Sequence, residues 1–231
     1  MGGVAAGATV RAQGLWKVYP GSRGAGVPAL RGASLEARPG EVVALCGRSG
    51  SGKTTLLHLL AGLDRPTSGR VEVEGKDLAA LGERGRTRLR RARIGFVFQF
   101  FNLLPTLTAL ENVALALELA GRPDGGRALE ALEAVGLGGM GHRFPHELSG
   151  GEQQRVAVAR ALVKGPGVIL ADEPTGNLDT RTGDAVLRLL TDQAREQGAC
   201  LILATHSPRA AGVADRVFRM ADGRLEEAGP P

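Results

Sequence analysis

A short apolar run, Val42 to Cys46, leads directly into Gly47-Arg48-Ser49-Gly50-Ser51-Gly52-Lys53-Thr54, and Thr55 to Leu60 continue with helical character. The spacing is G-x-x-x-x-G-K-[ST] in the strand, loop and helix setting that a phosphate-binding loop requires. Glycines are needed there because backbone N–H groups have to turn inward and meet phosphate oxygens at the positive end of a helix, with no side chain between. Lys53 then reaches the terminal phosphates, and the Thr54 hydroxyl is a ligand for Mg²⁺. The candidate phosphate-binding set is Gly47, Arg48, Ser49, Gly50, Ser51, Gly52, Lys53, Thr54 and Thr55. The pattern differs from G-x-G-x-x-G, which disfavours a dinucleotide site. Kinases, GTPases, helicases and transport motors all remain open.

Three further runs, Ile94 to Phe98, Val168 to Ala171 and Leu201 to Ala204, share the continuous apolarity of Val42 to Cys46. Continuous apolarity marks strands covered on both faces, as in a parallel sheet with helices on each side. Gly69 to Gly75 instead alternates with period 2, and Asp222-Gly223 joins two short segments like a hairpin turn, so an antiparallel section should flank the parallel one. In the middle of the chain, Thr108 and Glu111 have capping-box spacing. Leu110, Val113 and Leu117 recur at helical intervals until Gly121 and Pro123 stop the pattern. A second helix is expected over 127–135, ending at Gly136. The expected architecture is α/β: a P-loop core with a mainly parallel sheet, an antiparallel flank, and a helical subdomain over about 100–165 inserted into the core. The 231 residues show no repeat and no long linker, so 1–231 is expected to be a single domain.

The apolar runs fall far short of the ~20 residues of a membrane-spanning helix. Residues 1–14 lack the basic start and apolar block of a secretory signal, which places the chain in the cytoplasm. Lysine stands only at 17, 53, 76 and 164, so 25 of the 29 basic residues are arginine, and the net charge is +5. Arg84, Arg86, Arg88, Arg90, Arg91 and Arg93 form the densest basic block. No aromatic residue interleaves with them to stack on bases, so a solvated helix face is expected and no nucleic-acid partner. Cys46 and Cys200 lie inside apolar runs without a CxxC partner and read as small buried hydrophobes.

A second constellation discriminates among the phosphate-loop classes. Leu148-Ser149-Gly150-Gly151-Glu152-Gln153-Gln154-Arg155 precedes an apolar-patterned stretch that Gly165-Pro166 ends. Ser149 and Glu152 have capping-box spacing, which leaves the amides of Gly150 and Gly151 open to an anion, although an ordinary capped helix has the same pattern. Val168 to Ala171 runs into Asp172-Glu173, at the end of a strand where ligands of open α/β sheets gather. Alone, such a pair is commonly a turn or a cap. Beside a phosphate loop, Asp172 is suited to hold the Mg²⁺ that Thr54 contacts, and Glu173 to polarise a water for attack on the terminal phosphate. Leu201 to Ala204 delivers Thr205-His206 to the same sheet edge, where His206 is placed to sense that phosphate.

Together these residues resemble the nucleotide-binding subunit of the ATP-binding cassette transporter family over nearly the whole chain, and Leu148 to Arg155 matches that family's signature. The resemblance implies an Mg²⁺-dependent ATPase. By that resemblance Tyr19 stacks on adenine, in a loop that Trp16 and the irregular segment 20–24 surround. Gln99 reaches Mg²⁺ and the attacking water and relays nucleotide state to a membrane subunit. Asp179, in Gly176-Asn177-Leu178-Asp179, communicates across a dimer, and His206 is the switch histidine. The implied assembly is a head-to-tail dimer in which the phosphate loop of one copy and Ser149, Gly150 and Gly151 of the other clamp each ATP. An integral membrane permease is the implied partner, contacted near 99–108, with this chain peripheral on the inner face of the cell membrane. The strings 98–113 and 172–179 are most similar to the lipoprotein-release and macrolide-efflux branch. Cys46 and Ser207 depart from the family's usual aliphatic residue and Asp, and neither removes a catalytic group. The alternatives are a soluble cassette acting on nucleic acid or ribosomes, whose usual second cassette, coiled coil or zinc insert is missing, and a division-type cassette that signals mechanically without moving a substrate.

Overall fold

The computed structural model describes residues 9–21 and 26–228, so the readings made for 1–8 and for Ser22 to Gly24 lie outside the described residues. Strands β1 (Val10–Pro20), β2 (Gly26–Ala37), β4 (Ser68–Val73) and β5 (Lys76–Asp77) form one sheet in the order β2-β1-β4-β5. Its pairings are antiparallel. Strands β3 (Val42–Cys46), β6 (Ile94–Phe98), β7 (Val168–Asp172), β8 (Cys200–Thr205), β9 (Arg216–Ala221) and β10 (Arg224–Ala228) form the second, in the order β10-β9-β3-β8-β7-β6. This sheet is parallel from β9 through β6, and β10 is antiparallel to β9. The turn between β9 and β10 is Asp222-Gly223, both at positive φ (48° and 77°), as a right-twisted two-residue hairpin demands.

Continuous apolarity in the central strands is explained by the two layers that cover them. On β3, β7 and β8, alternate side chains (Val42 and Ala44, Ile169 and Ala171, Leu201 and Leu203) join a core shared with helices α3 (Ala109–Leu119), α4 (Gly125–Ala134), α5 (Gly150–Leu162) and α6 (Thr180–Glu196). The intervening side chains (Val43 and Leu45, Val168 and Leu170, Ile202 and Ala204) join a second core with helix α1 (Lys53–Leu60) and the antiparallel sheet. Leu56, Leu57, Leu59 and Leu60 of α1 are all within 1% of full burial, each stabilising by roughly 1.5–3 kcal/mol relative to exposure. That anchorage holds the N-terminus of α1 against the end of β3.

Between β6 and β7 the chain is helical, with caps where the sequence places them. Thr108 and Ser149 form reciprocal capping boxes with Glu111 and Glu152. The helix expected from 127 begins at Gly125, because the Asp124 side chain accepts from the Arg127 amide and so caps two residues earlier. A short helix follows β8, α7 (Pro208–Ala211), capped by Ser207.

Two expectations need correction. Helix α2 (Glu83–Arg93) is a solvated face only on its Arg84, Arg88 and Arg91 side. Arg86, one helical stripe away, is buried and donates to the carbonyl of Leu81 (2.9 Å) and to Glu83 (2.6 Å), Arg90 donates to the Gly62 carbonyl (2.7 Å), and Arg93 pairs with Glu74 (2.8 Å). Helical period, acting on residues i, i+4 and i+7, separates the inward three from the outward three. Cys200 is buried, and burial pushes its thiol up to about 12. Cys46 is only half-buried, since β3 ends there and the chain opens into the phosphate loop.

Candidate functional site

Parallel pairing brings the C-terminal ends of β3, β6, β7 and β8 to one edge, and each delivers a candidate residue there. Gly52 caps α1 at φ 112°, and a Cβ at that position would stand 2.6 Å from the Ala29 carbonyl oxygen. At Gly47 a Cβ would run into the carbonyl of Met220. The loop thus has glycine both where the backbone turns left-handed and where β9 approaches it. Lys53 is 6% exposed, and its Nζ donates to the carbonyls of Gly47 (2.8 Å) and Arg48 (3.2 Å).

The Thr54 hydroxyl donates to Asp172 Oδ2 at 2.8 Å, joining the start of α1 to the end of β7. Burial holds the Asp172 carboxyl above the usual carboxylate range, and the adjacent Glu173 charge adds to it, while the Thr54 hydrogen bond works against both. Glu173 sits at φ 47°, a region that costs a non-glycine residue ~1–3 kcal/mol. Its amide donates to the Ala204 carbonyl (2.9 Å), and its Oε1 lies 2.9 Å from His206 Nδ1 and 3.8 Å from Lys53 Nζ. The backbone therefore aims the carboxylate between a lysine and a histidine. Gln99, one residue past β6, is fixed by Asn177, whose Nδ2 donates to the Gln99 carbonyl at 3.0 Å.

A cleft of about 740 Å³ lies over this edge, lined by Arg48, Ser49, Gly50, Gly52, Lys53, Thr54, Thr55, Gln99, Asp172, Glu173 and His206. Ser51 turns inward instead: its amide donates to the Arg48 carbonyl (3.2 Å) and its hydroxyl is buried. Tyr19 stands at the end of β1 near Thr55, its hydroxyl donating to Asp64 Oδ2 at 2.9 Å. Ser149, Gly150 and Gly151 lie outside the cleft. Ser149 Oγ accepts from the Glu152 amide and donates to its carboxylate (2.8 Å), and no hydrogen bond among the described residues uses the amides of Gly150 and Gly151. Asp179 caps α6 through the Thr182 amide and, with Glu173 and His206, borders a smaller adjoining hollow.

Sequence reasoning missed the residues that hold the segment after Gln99. Asn112, fully buried, accepts from the Leu104 amide (2.8 Å) and donates to the carbonyls of Leu104, Leu107 and Thr108. Arg160 of α5 donates to the carbonyls of Phe101 (2.8 Å) and Asn102 (2.6 Å), two residues at positive φ. Asn112 was findable: it falls on the stripe of Ala109, Val113 and Leu117, where a polar side chain needs internal partners.

Chemically, the cleft offers backbone donors at a helix N-terminus, a buried ammonium, a hydroxyl and carboxylate side by side, and a carboxylate held by a histidine. Among the described residues no three His, Cys, Asp or Glu side chains are grouped to hold a metal. A hydroxyl and one carboxylate do fit Mg²⁺, which binds through one or two carboxylates with substrate phosphates and water supplying the rest.

The profile of the family described as ABC transporter matches residues 30–176. The chain belongs to the ABC transporter family. It is an ATP-binding and ATP-hydrolysing subunit of a transporter. Its relatives include the lipoprotein-releasing system ATP-binding protein LolD 2 of Caulobacter vibrioides, 51% identical over 217 residues, covering 93% of this chain and 95% of that protein. Another is the LolD protein of Xanthomonas euvesicatoria, 48% identical over 226 residues, covering 96% and 92%. Among solved structures, the dimeric post-hydrolysis state of the ATP-binding cassette MJ0796 bound to ADP and Pi superposes with a TM-score of 0.87 at 39% identity, covering 95% of this cassette and 97% of that chain. Among the described residues of the cassette, no helix is long and apolar enough to cross a membrane.

Proposed function

We propose that the chain is a single nucleotide-binding domain that works as a homodimer and drives a membrane permease of the lipoprotein-releasing or efflux type. The observation that carries the reading is the convergence of Lys53, the Thr54–Asp172 pair and the Glu173–His206 pair on one cleft. Lys53 and the amides of 48–55 bind the β- and γ-phosphates of ATP, and Tyr19 stacks on adenine. Thr54, Asp172 and Gln99 are the residues that hold Mg²⁺, which when bound neutralises charge developing on the phosphates. Glu173 accepts the proton of the attacking water, and His206 keeps its carboxylate aimed and contacts the γ-phosphate.

The signature amides of Gly150 and Gly151 lie outside this cleft, and a second copy placed head to tail brings them to its ATP. Asp179 then meets the partner near its hydrolytic edge. Phe100 (72% exposed) and Leu104 (43% exposed), on the segment following Gln99, supply an apolar face for the permease. The names of the relatives, lipoprotein-releasing system ATP-binding proteins, support that substrate class. Through such a permease the subunit is held at the inner face of the membrane.

The test is Glu173→Gln, which keeps shape and removes the proton acceptor. ATP affinity should stay within about twofold while hydrolysis falls at least ~100-fold, and light scattering should find an ATP-dependent dimer. Turnover at the wild-type rate sinks the assignment.

A further inference from the structure

Tyr19 is held by a group that does not line the cleft. After α1 the chain folds back, and the amide of Leu63 donates to the His58 carbonyl (2.9 Å), which sets Asp64 beside the end of β1. One Asp64 carboxylate then serves both neighbours: Oδ1 pairs with Lys17 Nζ at 2.6 Å, and Oδ2 accepts from the Tyr19 hydroxyl at 2.9 Å. Lys17 also donates to the Arg65 carbonyl (2.8 Å), and its ammonium stands 4.8 Å from the centroid of the Tyr19 ring. The Lys17 side chain is 12% exposed and that of Asp64 32%, so the pair is not a freely solvated surface bridge.

We propose that Lys17 and Asp64 are positioning residues that lock the Tyr19 ring for the adenine base. The proposal rests on the reading of Tyr19 as the stacking aromatic. A ring fixed by its hydroxyl at one end loses little rotamer freedom when a base arrives. The ammonium takes one face of the ring by attraction to its negative quadrupole, which assigns the base to the opposite face. The contribution is therefore to base affinity and not to phosphate binding or chemistry.

The experiment is titration calorimetry with Mg-ATP and, separately, with inorganic tripolyphosphate, which has no base. Tyr19→Ala, Asp64→Ala and their double variant are compared, with kcat measured on each. Asp64→Ala should weaken ATP about three- to tenfold, leave tripolyphosphate affinity and kcat unchanged, and add nothing further in the Tyr19→Ala background. Because Asp64 also accepts from the Arg65 amide (2.6 Å), Lys17→Met serves as a second variant that leaves this turn contact in place, and it should weaken ATP in the same selective way. Additive losses, or an equal loss of tripolyphosphate affinity, would make Asp64 a general support of α1 and overturn the positioning role. If Tyr19→Ala weakens ATP and neither Asp64→Ala nor Lys17→Met does, only the positioning role falls. If Tyr19→Ala leaves ATP affinity unchanged, Tyr19 does not hold the base and both readings fall.

Discussion

Gly151 is enclosed, and a Cβ there would run into Cγ2 of Thr182 on α6. Gly151→Ala should therefore overpack the contact between α5 and α6 and destabilise the fold by about 1–3 kcal/mol. Adding Thr182→Ser, which deletes that methyl group, should recover most of the loss in chemical denaturation. Absence of rescue would show that the loss does not come from crowding against the Thr182 methyl group. The same pair illustrates what was legible in the amino-acid string at this scale. Lys53, Thr54, Asp172, Glu173 and His206 were readable because each belongs to a short contiguous pattern whose chemistry is local. Asp64, Arg160 and Thr182 were not, because their partners stand far away in sequence at Tyr19, Asn102 and Gly151, and nothing in their immediate neighbours announces them. The left-handed backbone at Glu173 was invisible for a different reason: it falls on a non-glycine residue just past β7, whose amide bonds to the Ala204 carbonyl of β8.

Helices and strands followed their periodicity wherever burial was one-sided or complete. The central strands could be found as unbroken apolar runs, and the helix starts at Ala109 and Gly150 as capping boxes. Helix α2 resisted such reading, since its charge density suggested that the six arginines form one solvated face while three of them reach inward to carbonyls and carboxylates. Its C-terminal end is tied to the segment after α5 by Lys164, whose Nζ donates to the Arg90 carbonyl at 3.1 Å. Burial, with Arg160 nearby, lowers the Lys164 ammonium from 10.5 to about 8. Below that value both folded and unfolded chains hold the proton, and the cost of burying the charge is borne in full. Between about 8 and 10.5 the folded chain releases its proton first and the cost declines. Lys164→Met should therefore stabilise the protein by about 1–3 kcal/mol at neutral pH, and the gain should shrink as pH rises toward 10.5. Melting curves across that range test it, and a gain that grows with pH would contradict the assignment.

At the scale of the whole molecule, the phosphate loop and the signature helix belong to one chain and occupy different surfaces, so the proposed dimer makes a clear demand. In the Glu173→Gln background, Ser149→Arg should abolish ATP-dependent dimerisation while leaving the ATP affinity of the monomer within about twofold, because residue 149 does not line the cleft. Dimers that persist in light scattering would require a different face. Sequence patterning could establish the two-layered core but not this separation, since residues 149–151 do not line the cleft. Arg160 adds a constraint of its own. By donating to the carbonyls of Phe101 and Asn102, it ties the segment after Gln99 to helix α5, which Ser149 caps. Thermodynamic linkage then runs both ways: a protein that grips Phe100 and Leu104 better in one orientation of α5 than in another alters nucleotide affinity by the same factor by which nucleotide alters its grip.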